Sequence, residues 1–218
     1  DPVIFFEPKR RYWEKGGVDG ADLASAYPLH ASRVVRTGSA LTVATYGPMV
    51  KTCLDAAAAA AEEGRELEVV DLRSLSPLDL GPVADSVRRT GRLVVVSEAP
   101  AESSVTSEVA ARIQQECFFS LEAPVLRVTG FDTPYPPSRL EDEYLPDLDR
   151  VLDAVDRVTN IKIERRYEGR RAGDPDALVA DNSRILATLR WRPAYDALDR
   201  IVTDARVWER KLGERAGR

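Results

Sequence analysis

Leu41-Thr42-Val43-Ala44-Thr45-Tyr46, closed by Gly47-Pro48, is a short β-rich run followed by a turn signal. Further along, Leu93-Val94-Val95-Val96 is apolar without a break. A strand with one wet face alternates apolar and polar residues. A strand with no polar position has both faces covered, as strands of parallel sheets do. These two runs set the fold class, and the segments around them agree.

Working outward, residues 49–63 place Val50, Cys53, Leu54, Ala57, Ala58 and Ala61 at helical spacing. Gly64 is a natural stop, because a residue without Cβ takes positive φ at low cost. Leu67-Glu68-Val69-Val70-Asp71-Leu72 reads as the next strand. Ser76-Pro77-Leu78-Asp79 reads as a helix start, with Ser as N-cap and Pro at the first position. That helix carries Val83, Ala84 and Val87 and ends at Gly91. Residues 104–118 repeat Val105, Val109, Ile113 and Cys117 as a stripe, Val125-Leu126-Arg127-Val128 reads as a fourth strand, and residues 147–157 read as a closing helix. Strand and helix alternate with short connections. The expectation is a doubly wound α/β domain with a mainly parallel sheet.

Sites in such sheets lie beyond the carboxyl ends of the strands. Those ends are Tyr46-Gly47, Asp71-Leu72-Arg73-Ser74 and Ser97-Glu98-Ala99. Glu98 is the best acid candidate, against the plainer role of helix cap or arginine partner. His30 is the chain's one histidine and falls in a loop, where solvation is the ordinary state. Glu141-Asp142-Glu143 reads as a solvated charged turn. No metal-ligand spacing, Walker loop or G-x-G-x-x-G occurs, and no Ser/His/Asp or Cys/His set can be built without His30.

The flanks read differently. Residues 3–6 are an apolar run fit to end a buried strand, and residues 7–29 are loop-like, with the basic aromatic word Lys9-Arg10-Arg11-Tyr12-Trp13. Beyond Val158 the pattern changes. Ile161-Lys162-Ile163-Glu164-Arg165 reads as strand-like, and Arg170-Arg171-Ala172-Gly173-Asp174-Pro175 as a polar turn. Two helices follow, one capped by Asp181, the other bearing Leu198, Ile201, Val202, Ala205, Trp208 and Leu212. The expected organisation is therefore residues 1–30 as the end of a preceding domain and a linker, 31–157 as the α/β domain, and 158–218 as a mainly helical C-terminal tail.

The 218 residues are enough for a sizeable core, and 44% hydrophobic with 31% charged residues is ordinary globular composition. A net charge of −5 argues against a nucleic-acid partner. No apolar run is long enough to span a bilayer. Cys53 and Cys117 sit among apolar helical neighbours, so buried free thiols are expected rather than a disulfide. The first residues do not read as a signal peptide, and a cytoplasmic location is the default expectation.

Four words are specific together: Asp1-Pro2-Val3-Ile4-Phe5-Phe6-Glu7-Pro8-Lys9-Arg10, Tyr46-Gly47-Pro48-Met49-Val50, Asp71-Leu72-Arg73-Ser74-Leu75-Ser76-Pro77-Leu78-Asp79, and Gly130-Phe131-Asp132-Thr133-Pro134-Tyr135-Pro136. Over residues 1–157 the chain resembles the C-terminal half of the beta subunit of thiamine-diphosphate-dependent 2-oxo acid dehydrogenases of pyruvate and branched-chain type. The resemblance implies a transketolase C-terminal-like domain that builds subunit interfaces. The implied partners are an alpha subunit and a second beta subunit of a heterotetramer, and the acyltransferase core. Thiamine diphosphate and magnesium are implied for the full complex, not for this chain, and no catalytic or cofactor-binding residue carries over. Ser97 stands where that family usually has His, and residues 102–106 lack its glycines.

From Val158 on, the chain resembles the C-terminus of UDP-glucose 4-epimerase. The matching words are Arg170-Arg171-Ala172-Gly173-Asp174-Pro175, Leu178-Val179-Ala180-Asp181-Asn182-Ser183 and Leu189-Arg190-Trp191-Arg192-Pro193. By that resemblance Arg171 and Asp174 contact a uridine nucleotide, as a guanidinium suits phosphate and a carboxylate suits ribose hydroxyls. NAD would be implied only if the epimerase part were complete. A solvated turn with a local salt bridge is the plainer reading. Three functional readings stay open: an assembly part of a dehydrogenase subunit, a UDP-binding fragment, and a non-enzymatic fusion with no active site.

Overall fold

The computed structural model describes residues 2–4, 7–8, 11–12, 15, 28–165, 200 and 207. The chain divides into two compact units, Asp1–Arg166 and Tyr167–Arg218. The first is an α/β domain. Its strands are β1 Arg33–Arg36, β2 Leu41–Thr45, β3 Leu67–Asp71, β4 Leu93–Pro100 and β5 Leu126–Gly130. Its helices are α1 Met49–Glu62, α2 Gly81–Thr90, α3 Val105–Cys117, the single turn α4 Glu141–Tyr144, and α5 Leu148–Thr159. The sheet order is β1-β3-β2-β4-β5. β1 is antiparallel to β3, and the other three pairs are parallel.

Side chains on a strand alternate between faces, and here each face has its own helical layer. Leu41, Val43, Leu67, Val69, Val94 and Val96 pack with Cys53, Ala56, Ala57 and Ala60 of α1 and with Val151, Leu152 and Val155 of α5. The alternate positions Ala44, Val70, Leu93 and Val95 pack with Val83, Ala84 and Val87 of α2 and Val109, Ile113 and Cys117 of α3. This is the doubly wound arrangement that the unbroken apolar strands require. Polar anchors add direction. The Thr42 hydroxyl lies 2.6 Å from that of Ser86 and 2.7 Å from that of Thr90, tying α2 to β2. Cys53 and Cys117 are buried free thiols. No helix of the described residues is long and apolar enough to cross a membrane.

The helix expected to start at Ser76 starts later, at Gly81. Asp79 is the reason. One of its carboxylate oxygens accepts from the Gly81 amide at 3.1 Å and the other from the Ser32 amide at 2.9 Å. The Ser32 hydroxyl donates to the Asp79 carbonyl at 2.6 Å. The segment before α2 is thereby tied to the chain entering β1. Pro82 sits in the first helical turn, where its missing N–H costs no bond. At the other end Gly91 takes φ +69°, and Gly64 after α1 takes φ +73°, as expected of stop glycines.

Three further expectations change. Val3 and Ile4 are exposed, and no strand forms at residues 2–4, so the apolar run does not end a buried strand within the described residues; Phe5 and Phe6 lie outside them. Glu141-Asp142-Glu143 is the start of the one-turn helix α4 and leads to buried Tyr144. Residues 161–165 are not a strand. The helix before them runs through Val158 to Thr159, and Asn160 at φ +55° turns the chain back along it. Of the tail helices expected from Asp181 on, only Arg200 and Val207 are among the described residues, and both are helical.

Candidate functional site

In the parallel part of the sheet, the chain leaves β2 through α1 to one side and leaves β4 through α3 to the other. Neighbouring strands whose connections part in this way leave a crevice at their carboxyl ends. A cleft of about 700 Å³ lies there, lined by Glu7, Pro8, Arg11, Gly47, Pro48, Val50, Lys51, Leu54 and Glu98. Two of the three strand ends read from sequence meet in it: Gly47 from beyond β2 and Glu98 from β4.

The third end has another task. The Asp71 carboxylate accepts from the Arg73 amide at 3.0 Å. Arg73 donates through its guanidinium to the carbonyls of Pro28 at 3.1 Å and Ala31 at 3.2 Å. Burial pushes the Asp71 carboxyl above its ordinary range, and the Arg73 amide with the charges of Arg73 and Arg33 pulls part of that back. This strand end holds the loop before β1 in place. Exposed His30 sits in that loop and is not among the residues that line the cleft.

Local sequence explains how the cleft forms. Gly47 takes φ +60° and turns the chain from β2 into α1. Pro48 is the N-cap residue of α1 and supplies no side-chain cap. Arg11 lies across this turn and donates to the Pro48 carbonyl. A backbone bond from the Arg11 amide to the Pro8 carbonyl, 2.9 Å, closes the turn that carries it. Lys51 pairs with Asp55 one turn further along α1, at 2.6 Å. Arg11 also lines a neighbouring cleft of about 390 Å³ with Met49, Thr52, Asp55, Asp142 and Leu145-Pro146-Asp147-Leu148.

Glu98 is not the cap of the following helix, since Ser104 holds that position in α3. Ser97 before it is buried, and its hydroxyl accepts from the Ala99 amide at 3.0 Å, so it turns inward to the strand end. Ser103 takes φ +52°, a conformation that favours glycine, in the segment where the dehydrogenase resemblance leads one to look for glycines.

Pro8, Pro48, Val50 and Leu54 give the cleft an apolar lining. The same lining includes two carboxylates, Glu7 and Glu98, and two cations, Arg11 and Lys51. Among the described residues, no hydroxyl, thiol or imidazole lines it. It can hold an apolar group and pair charges of either sign around it. Among the described residues no group of three His, Cys, Asp or Glu is placed to hold a metal ion. Sequence reasoning found Glu98 but missed Glu7, Arg11 and Lys51. The signal present was the basic aromatic word around Arg11. Arg171 and Asp174, the uridine-nucleotide candidates, lie outside the described residues.

Beyond β5 the same carboxyl edge carries a second feature. Phe131 and Tyr135 are each about half exposed, and both stack edge-on against buried Tyr144, at centroid distances of 6.2 Å and 5.2 Å. The Arg150 guanidinium lies 4.7 Å from the centroid of the Phe131 ring.

Comparison with known proteins places this geometry. The family described as transketolase, C-terminal domain, matches residues 30–151. The pyruvate dehydrogenase E1 component subunit beta of Leifsonia xyli subsp. xyli is 62% identical over 157 residues, covering 72% of this chain and 46% of that protein. The 3-methyl-2-oxobutanoate dehydrogenase subunit beta of Mycobacterium tuberculosis is 51% identical over 159 residues, covering 72% and 45%. Among solved structures, a split-gene transketolase described as an inactive beta4 tetramer superposes with a TM-score of 0.54 at 27% identity, covering 62% of this chain and 43% of that one. The chain spans about half the length of the curated relatives it matches.

Proposed function

The chain belongs to the transketolase C-terminal domain family, and on that premise we propose that it is the beta-subunit portion of a 2-oxo acid dehydrogenase decarboxylating component, serving assembly and docking rather than catalysis. The observation that carries this reading is the cleft between β2 and β4. Its described lining combines the apolar Pro8, Pro48, Val50 and Leu54 with charges of both signs, on the same edge as exposed Phe131 and Tyr135. Aromatic side chains held rigid by stacking are the usual anchors of protein interfaces. The partners in this reading are an alpha subunit, a second beta subunit and the acyltransferase core, in the cytoplasm.

Thiamine diphosphate and magnesium belong, in this proposal, to the complex. The described residues do not fit them: they offer no metal-holding cluster, and the two cations of the cleft, Arg11 and Lys51, are matched by the carboxylates Glu7 and Glu98.

The test is co-expression of the full chain with the alpha subunit of a related dehydrogenase, followed by co-purification and sedimentation. Association is expected. Tyr135→Asp is expected to weaken it about 30-fold or more, the loss typical of a buried aromatic anchor. A strict monomer in the presence of the alpha subunit would sink the proposal.

The tail resemblance supports a separate reading of Arg171 and Asp174 as a uridine-nucleotide contact. Calorimetric titration with UDP should then show binding that Arg171→Ala removes. No heat at millimolar nucleotide would end that reading.

A further inference from the structure

The segment 161–165 does something that neither the family match nor the cleft requires. Asn160, in the left-handed conformation, reverses the chain at the end of α5. Asn is among the few residues other than Gly that take this conformation readily. Ile163 then enters the core, 3% exposed, in the cluster that holds Val151, Val155 and Val158. Its amide donates to the Asp156 carboxylate at 2.9 Å. Two residues on, the Arg165 guanidinium reaches three carboxylates of α5: Asp153 at 2.6 Å, Asp156 at 3.3 Å and Asp149 at 3.4 Å.

The spacing of those carboxylates is the informative point. Positions 149, 153 and 156 are four and three residues apart, which puts them on one face of the helix. A helix bearing three like charges on one face repels itself, and one guanidinium laid along that face relieves the repulsion. The side chain of Arg165 is only 20% exposed. Its ion pairs are therefore less screened than open surface pairs, but salt still reaches the outer carboxylates, Asp149 at 41% and Asp153 at 65% exposure.

We propose that residues 161–165 form an ion-clasped strap, closed over α5 when Arg165 holds Asp149, Asp153 and Asp156 and opened when added salt screens those pairs. Ile163 and its amide bond to Asp156 fix the middle of these five irregular residues, and the clasp adds to them at Arg165. Opening uncovers one surface that is apolar at Val158 and Ile163 and acidic along α5.

Amide hydrogen exchange on the full chain tests this, read at Ile163 with the β4 amide of Val95 as a control for the fold. At low salt the Ile163 amide is expected to be protected. At about 0.5 M salt, where the Debye length is a few ångströms, that protection should fall roughly three- to ten-fold while Val95 does not change. Arg165→Gln should show the low value at both salt concentrations, and Arg165→Lys should regain part of the protection and its salt dependence. Three results overturn the strap: an Ile163 amide exchanging at the free-peptide rate at low salt, protection indifferent to salt, or protection unchanged in Arg165→Gln. Loss of Val95 protection in Arg165→Gln would mean that the segment is part of the global fold rather than a strap, and overturns it too.

Discussion

Gly38→Ala is expected to cost about 3 kcal/mol or more, on the scale of severe overpacking, and the urea midpoint of the full chain measures it. Gly38 links β1 to β2 where the chain passes over the start of β3. A Cβ there would stand 2.3 Å from the carbonyl carbon of Leu67, 2.5 Å from the carbonyl oxygen of Glu66 and 2.5 Å from the amide nitrogen of Glu68. All three are backbone atoms, so no rotamer change can relieve the contact. One of the two segments must move by the better part of an ångström. The same crossing is held by bonds from the amides of Ser39 and Ala40 to the Glu66 carbonyl, both 2.9 Å, and from the Gly38 amide to the Glu68 carboxylate at 3.3 Å. Displacement loses these while Glu68 stays buried. Gly64→Ala gives the contrast. Gly64 has φ +73° but nothing near its missing Cβ. It should cost only about 1–2 kcal/mol, the ordinary penalty of a left-handed alanine. Equal costs at the two positions would mean that the approach at Gly38 is looser than described.

The central strands and α1 were legible because their chemistry repeats at the period of the element. Val94-Val95-Val96 serves both helical layers at once, so no position of that run can be polar. In α1 the expected positions Cys53 and Ala57 are buried, but Ala58 is exposed and Ala56 and Ala60 take its place on the buried face, because a run of alanines does not mark its own inner side; Gly64 and Gly91 mark real ends. The edge strand β1 was not legible. Its four residues, Arg33-Val34-Val35-Arg36, carry charge at both ends, and what makes them a strand is pairing with β3, a fact about distant sequence. The start of α2 was misplaced for a similar reason. Ser76-Pro77-Leu78-Asp79 has the local form of a helix start, but the Asp79 carboxylate is divided between the Gly81 amide and Ser32. The cleft divides in the same way. Glu98 was found from its place at a strand end. Glu7 and Arg11 reach the cleft from the segment ahead of the sheet, and only the turn over Pro48 brings them there.

Cys53 should give the chain a sharp alkaline limit. It lies at the centre of the α1 face with no exposed surface, and burial pushes its thiol from 9.0 up to about 12, with a bond to the Thr45 side chain opposing part of the rise. The sign of the effect follows from proton counts. Above pH 9 the unfolded chain loses this proton and the folded chain keeps it, so stability falls with rising pH. The contribution is complete below the unfolded value and is lost between about pH 9 and 12. At about 1.4 kcal/mol per unit, the span is worth about 4 kcal/mol, a large part of the stability of an ordinary domain. Lysines and tyrosines titrate in the same range, so the native curve alone would not isolate the thiol. Cys53→Ala does. At neutral pH this variant should be less stable than the native chain by about 1–2 kcal/mol, from the small cavity left beneath α1. Its alkaline slope should be shallower by about 1.4 kcal/mol per unit, so the two curves should cross near pH 10. Urea titrations at several pH values read both slopes. Parallel curves for the two proteins above pH 9 would show that the Cys53 thiolate forms inside the fold, and that α1 seats less tightly on the sheet than its packing indicates.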